Sequence, residues 1–247
     1  MKTSETILDR VMVDVRREVA EASQRRPLAE VKRRLADAPP VRSLKDALRP
    51  GFGLVAEIKE RSPSQGAMRR ENVDRAAAAY EASPVVRAVS VLTNATHFGM
   101  SIERLAGVRA GSSKPVLRKD FIFCEYQVYE ARAFGADAIL LMANLLEGHE
   151  MRSLYGLARD LGLEVLFECH DLEQVAAVPP EAEIYGINSR TFSTSGAAYA
   201  SAREARAAGG QKDLTTDLGR FELGRHLPAH AVKVAESGVG VGDVAAV

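Results

Sequence analysis

From about residue 46 onward, short apolar runs alternate with helical patterns. The runs are GLVAEIK (53–59), AVSVLT (88–93), PVLRKD (115–120), AILLMAN (138–144), EVLFECH (164–170), EIYGINSR (183–190) and VKVAESG (232–238). Between them stand the helix-like stretches NVDRAAAAYEA, SIERLAGVRA, EYQVYEARAFG and LEGHEMRSLYGLARDLG. Gly135 and Gly162 fall where a helix C-cap glycine belongs. Near-continuous apolar strands alternating with helices predict a parallel sheet covered on both faces. Before this rhythm begins, Ile7, Val11, Val15 and Val19 recur every four residues and predict an amphipathic helix, capped by Ser4 or Thr6. Residues 1–45, ending near Pro39-Pro40, therefore read as a helical extension, and residues 46–247 as a barrel unit.

Two α/β architectures fit such a pattern, an open doubly wound sheet and a (β/α)8 TIM barrel. A dinucleotide-binding sheet announces itself with a glycine-rich turn after its first strand. Here the first strand ends in EIKERSPS instead. Polar residues recur at the C-terminal end of nearly every strand, which is where a barrel gathers its active site. The barrel is the predicted fold.

Strand side chains alternate between faces. Val55, Glu57 and Lys59 share one face of the first strand, and Leu54, Ala56 and Ile58 share the other. The same parity groups Leu117 with Lys119, Leu166 with Glu168 and His170, Ile184 with Gly186, Asn188 and Arg190, and Val234 with Glu236 and Gly238. One inward set thus collects carboxylates, an amide and the cations Lys59, Lys119 and Arg190. Arg118 and Asp120 face away and would pair with neighbouring loops or helices. A buried ion costs several kcal/mol unless it is paired, and a domain is stable by only about 5–15 kcal/mol. Such a set must be mutually paired, solvated at the barrel mouth, or offset by a ligand.

Composition narrows the classes. The formal net charge is zero, from 33 basic and 33 acidic residues, so no overall basic field argues for nucleic acid or an anionic membrane. The two cysteines, Cys124 and Cys169, form no CxxC pattern, which predicts neither a disulfide framework nor a zinc site and suits a reducing cytoplasm. No signal-peptide core and no membrane-length apolar run is present. Lys59, Arg190 and the backbone around ESGVG suit a dianion such as phosphate. Lys119, set near other cations, would have a lowered pKa and act as a general acid, with Glu168 as base or electrostatic partner. His170 resembles half of a metal site with Glu168, but no third ligand stands at convincing spacing, so no metal is expected. His97, His149, His226 and His230 read as surface or loop residues. The residues alone thus lead to a cofactor-free barrel doing acid–base chemistry on a phosphorylated small molecule.

AEIKERSPSQG, SVLTNATHFGMS, PVLRKDFIFCEYQVYEARAFGADAILLMA, FECHD, GINSR and VAESGV stand in order at barrel spacing. Together they resemble the indole-3-glycerol phosphate synthase family over about residues 50–242. That resemblance implies a carboxy-lyase of tryptophan biosynthesis, which closes 1-(2-carboxyphenylamino)-1-deoxyribulose 5-phosphate to indole-3-glycerol phosphate, CO2 and water. It implies Lys119 as general acid at the ketose oxygen and Glu168 as base or cation-stabilising carboxylate. Glu57, Lys59 and Asn188 would assist dehydration and hold the substrate. Ser62 with Pro63, Arg190, Glu236, Ser237 and Gly238 would complete the site, with Arg190 and Gly238 near the phosphate. Phe98, Phe121 and Leu140 would wall the aromatic ring.

Three features depart from the family pattern. Asn94 and a single Phe98 stand where the family shows an acidic residue and an aromatic pair, an expected change to the aromatic pocket. Segment 191–231 is long, and reads as a helix followed by a short pair of extended pieces. The chain stops at Val247, inside the helix expected after strand seven, so an eighth strand and last helix are expected to be missing; about 200 residues remain for a barrel that usually takes roughly 250. Open edges at strands one and seven are an association hazard. They make self-association, or docking of other tryptophan-pathway enzymes, the expected partner interactions. A sister barrel, phosphoribosylanthranilate isomerase, needs a cysteine at the end of strand one, and neither cysteine stands there. The remaining alternative is a truncated, non-catalytic barrel fragment that binds phosphorylated ligands.

Overall fold

The computed structural model of the chain describes residues 7–62, 66–67, 71–192 and 214–239. The expected cap at Ser4 or Thr6, and residues 240–247 with the helix expected there, lie outside the described residues. Among those described, seven parallel strands form one sheet: β1 (Leu54–Ile58), β2 (Val86–Leu92), β3 (Val116–Lys119), β4 (Ala138–Met142), β5 (Glu164–Cys169), β6 (Ile184–Asn188) and β7 (Val232–Glu236). Each overlaps one of the apolar runs. Three helices precede the sheet: α1 (Ile7–Arg25), α2 (Leu28–Arg34) and α3 (Leu44–Leu48). The strands alternate with α4 (Glu71–Ala82), α5 (Ala95–Phe98), α6 (Ile102–Gly111), α7 (Glu125–Ala133), α8 (Gly148–Asp160) and α9 (Leu172–Ala177). Gly135 and Gly162, just past α7 and α8, take positive φ as their positions predicted.

Strand order follows chain order from β1 to β7. A doubly wound sheet reverses direction at a switch point, and this one does not. The sheet is also curled. Lys119 at the end of β3 lies 3.1 Å from Glu236 at the end of β7. On a flat sheet, four strand spacings would hold those strands about 19 Å apart. Order and curl together are those of a TIM-type barrel, with β1 and β7 as the edges among the described residues.

The parity of the strands decides what each side touches. Leu117, Leu140, Leu166 and Ile184 pack into one interior cluster, with Val55 and Val234 against it. Ile58, Val116, Ile139, Phe167 and Ile187 pack outward into a larger cluster shared with the helices. Leu54 departs from this pattern and is 46% exposed, because β1 has a neighbouring strand on one side only.

The N-terminal segment closes the floor of the barrel. Leu44 of α3 is buried among Ala88, Ala138 and Ile184. Its flanking residues are tied to carboxylates where the strands begin. Arg42 N donates to Asp137 Oδ1 (2.8 Å), Ser43 Oγ to Glu164 Oε1 (2.8 Å) and Lys45 N to Glu164 Oε2 (2.7 Å). The opposite end of the same segment reaches the mouth. Val11, Met12 and Val15 of α1 pack with Phe121, Phe123 and Leu145, in the loops that follow β3 and β4. Glu18 accepts from Ala95 N, Thr96 N and Asn94 Nδ2 in the loop after β2.

Leu44→Ala should destabilise the fold by about 2–5 kcal/mol, since it opens a cavity in a floor that strands cannot collapse to fill. Urea unfolding midpoints of the two proteins test this.

Candidate active site

Strand β3 ends in three consecutive charges, and the structure sends them to two sides. Arg118 points outward and is buried. It donates through Nε to Thr93 Oγ1 (3.0 Å), through Nη1 to the Gln127 carbonyl (2.8 Å) and through Nη2 to Asp120 Oδ2 (3.0 Å). It also pairs with Glu130 of α7 at 3.0 Å. Burial alone would lower its pKa, but Glu130 and Asp120 outweigh that and raise it. This network clamps the strand end to α7 and fixes the register that turns Lys119 inward.

Inside the mouth, Lys119 Nζ lies 3.1 Å from Glu236 Oε2 and 3.4 Å from Glu57 Oε2. Lys59 Nζ pairs with Glu57 Oε1 at 2.5 Å. Asn188 Nδ2 donates to Glu168 Oε1 at 3.1 Å, and Asn188 Oδ1 accepts from Arg190 N at 2.9 Å. The five residues expected to carry chemistry, Glu57, Lys59, Lys119, Glu168 and Asn188, therefore meet at one end of the barrel.

Three carboxylates here share two ammonium groups, and that imbalance sets the titration behaviour. Lys119 was expected to have a lowered pKa from neighbouring cations. Burial does act in that direction, but Glu236, Glu57 and Glu168 overcome it and raise the pKa. Glu57 itself is pushed up by burial, yet the two lysines hold it below the usual carboxylate range. Glu236 goes the other way. Burial, the largest effect, and the neighbouring carboxylates outweigh Lys119 and push it up to about 7. Its Oε1 has no hydrogen-bond partner among the described residues.

An apolar wall adjoins these charges. The rings of Phe98 and Phe121 stack at 6.4 Å between centroids, and Leu140 is buried beneath in the interior cluster. Asn94 beside this wall is buried and caps α5, its Oδ1 accepting from His97 N at 2.8 Å. His97, expected at the surface, is largely buried against Asp14 of α1, 3.4 Å away.

Ser237 and Gly238 follow β7 with φ of 64° and 67°, the left-handed region that non-glycine residues seldom adopt. Ser189 Oγ donates to the Ser237 carbonyl at 2.7 Å and holds this turn. A Cβ on Gly238 would come within 2.4 Å of Thr216 Cγ2. Thr216 belongs to a short strand (Leu214–Thr216) paired antiparallel with Arg190–Phe192, so the base of the long segment borders this turn. The expected second extended piece is instead a 3-10 helix, Leu218–His226. The helix expected earlier in that segment and Pro63 lie outside the described residues, and Ser62 is described only as backbone in a short pairing with Gly66.

Two residues have roles that the sequence analysis did not assign. Gly186 leaves the space that Glu236 occupies: a Cβ there would lie 2.0 Å from Glu236 Oε1. Ser90 is buried on the inward face, in register with Glu57 and Leu117, and its hydroxyl has no partner among the described residues. Parity with Ala88 was the signal for Ser90. Parity placed Gly186 inward, but no local signal marked the space it leaves for Glu236.

Comparison with known proteins decides what kind of barrel this is. A model of the indole-3-glycerol phosphate synthase family matches residues 8–199. The chain belongs to the indole-3-glycerol phosphate synthase family. Indole-3-glycerol phosphate synthase 1 of Streptomyces coelicolor is 40% identical over 238 residues, covering 95% of this chain and 81% of that protein. Indole-3-glycerol phosphate synthase of Rhodococcus opacus is 38% identical over 247 residues, covering 98% and 84%.

A carboxyl whose pKa is raised in the fold stabilises the fold while it is protonated. For Glu236 that contribution is complete below the ordinary value of 4.5 and is lost as pH rises through about 7. Glu236→Gln removes this titration. The stability of the parent protein relative to the variant should therefore fall between about pH 5 and about pH 8. Urea titrations at both pH values measure it, and a constant difference would contradict the assignment.

Proposed function

We propose that this chain is a carboxy-lyase of tryptophan biosynthesis. It converts 1-(2-carboxyphenylamino)-1-deoxyribulose 5-phosphate to indole-3-glycerol phosphate with loss of CO2 and water. Family membership supports the reaction. The observation that carries it to these residues is the Lys119 ammonium, held among carboxylates at the barrel mouth, with the Phe98–Phe121 pair close by. A substrate with an aromatic end and a phosphorylated end suits an apolar wall beside a charged rim.

Lys119 acts at the ketose oxygen. Glu57 and Glu236 fix its ammonium group and keep it charged, so it stabilises the negative charge that grows on that oxygen as the aryl carbon attacks. An ammonium so well stabilised gives up its proton reluctantly. Protonation of Glu236 removes one opposing charge and makes Lys119 a stronger acid, so the two groups work as a unit. Loss of CO2 restores the aromatic ring. In the following dehydration Glu168 takes the proton that the substrate loses from carbon, Lys59 and Glu57 assist departure of the hydroxyl as water, and Asn188 orients Glu168. Arg190, Ser237 and Gly238 hold the phosphate, Ser62 and Pro63 complete the rim, and Leu140 supports the aromatic wall. We read residues 1–45 as an extension to the barrel unit 46–247. No cofactor and no metal enters this scheme.

Product formation is followed by indole fluorescence. Lys119→Ala should lower kcat at least a hundredfold while circular dichroism shows an intact fold. An unchanged rate in that variant would sink the assignment.

We infer further that the enzyme works in the cytoplasm, where its free Cys124 and Cys169 stay reduced. Among the described residues the outer edges of β1 and β7 pair with no strand, and an unpaired edge is a template for another chain. A second copy, or another tryptophan-pathway enzyme, would dock there. Light scattering across a dilution series should show concentration-dependent association, and a monodisperse monomer throughout would refute it.

A further inference from the structure

The stretch ECHDLEQ (168–174) carries a chain of hydrogen bonds that the scheme above leaves unused. Asp171 caps α9, its Oδ1 accepting from Gln174 N at 2.8 Å. Its Oδ2 accepts from Gln174 Nε2 at 2.7 Å. This second bond sets the amide orientation, because only the NH2 end can donate to a carboxylate. Gln174 Oε1 therefore faces His170. It accepts from the His170 backbone N–H at 2.9 Å and lies 3.3 Å from the ring Nδ1. A carbonyl oxygen only accepts, so Nδ1 carries the proton.

In a neutral ring Nε2 is then a bare lone pair. It is buried, has no hydrogen-bond partner among the described residues, and lies 3.5 Å from Glu168 Oε1. Burial, the largest influence, lowers the imidazole pKa and keeps the ring neutral near pH 7. The groups that act on it are Gln174, Arg220, Glu236 and Asp171, besides Glu168 itself. A lone pair facing an ionised carboxylate gains nothing. Facing a protonated one, it completes a hydrogen bond, and such contacts tighten from apo distances when the reacting state forms. Asn188 Nδ2 meanwhile donates to the same oxygen, which suits the ionised carboxylate. Glu168 thus has a donor for one protonation state and an acceptor for the other.

We propose that His170 is a positioning residue that accepts the O–H of Glu168 whenever Glu168 carries a proton, with Gln174 and Asp171 fixing the tautomer that permits it. The inference rests on Glu168 being the base of the ring-closure reaction. The proton comes from the substrate, stays on the Glu168 oxygen and leaves to solvent after turnover. No covalent bond forms to His170.

The test starts without turnover, so it can fail independently of the assigned reaction. In the full chain labelled with 15N-histidine, the His170 signals are identified by their loss in His170→Phe. The expected state at pH 7 is neutral with the proton on Nδ1. Gln174→Leu should shift the ring toward the Nε2–H tautomer. An Nε2–H tautomer or an imidazolium in the parent protein overturns the proposal. In turnover, both variants should lower kcat about tenfold with KM nearly unchanged, and move the acidic limb of kcat against pH downward by about half a unit or more. A limb that stays or moves upward overturns it, because a merely structural role, or a charged His170, would give those results. If His170→Phe does not fold, His170→Gln identifies the signals, and Gln174→Leu, at the half-buried start of α9, carries both measurements.

Discussion

A lysine at the end of the third strand touching a carboxylate at the end of the seventh is possible only on a sheet that has curled. Most of what the molecule does follows from that contact. Curling turns one face of every strand into a shared interior. The alternation of side chains then lines up apolar residues low in the barrel and ionisable ones at its mouth. The ion cluster is affordable there because its members partner one another, and because Lys119 and Lys59 keep some access to solvent. Glu236 shares the Lys119 ammonium with Glu57. It rests in a space that exists only because residue 186 lacks a side chain.

Much of this was legible from period alone. A two-residue period in LRK and EVLFEC separates inward from outward positions without any structural knowledge, and the clusters of Leu117, Leu166 and Ile184 against Val116, Phe167 and Ile187 follow it. Arg118 and Asp120 were rightly placed on the outer side. The period fails at Leu54 and Ala235, on the two edge strands, which lack the second neighbour that would bury them.

What could not be read locally was the balance of charge across strands. Lys119 stands beside Arg118 in sequence, but its electrostatic surroundings come from β1, β5 and β7. Counting nearby cations along the chain therefore gave the wrong sign for its pKa. The same limitation hid Gly186, whose meaning depends on a residue fifty positions later. The burial of Asn94 and His97 was hidden for a related reason: α1 arrives from far upstream and covers them, and nothing in TNATHF signals its approach. Glu236 looked like one member of a binding rim. Its distance to Lys119 makes it half of a coupled pair.

The N-terminal helices have a mechanical consequence. Residues 42–45 are tied at the floor, and α2 lies against α7, with Lys32 over the Tyr129 ring and Arg26 over the Phe134 ring. The Arg26 carbonyl is held by the Tyr126 hydroxyl. Helix α1 is thus pinned at its C-terminal end, while its other half rests on Phe121. Between these points Glu18 ties it to the loop after β2. Val11 stands fifteen residues from the pivot at Arg26, about 22 Å along the axis. A swing of only about 10° would carry it roughly 4 Å, about the separation of atoms in contact. A small angular motion at Arg26 would therefore draw Val11 away from Phe121 and pull on the loop after β2 through Glu18.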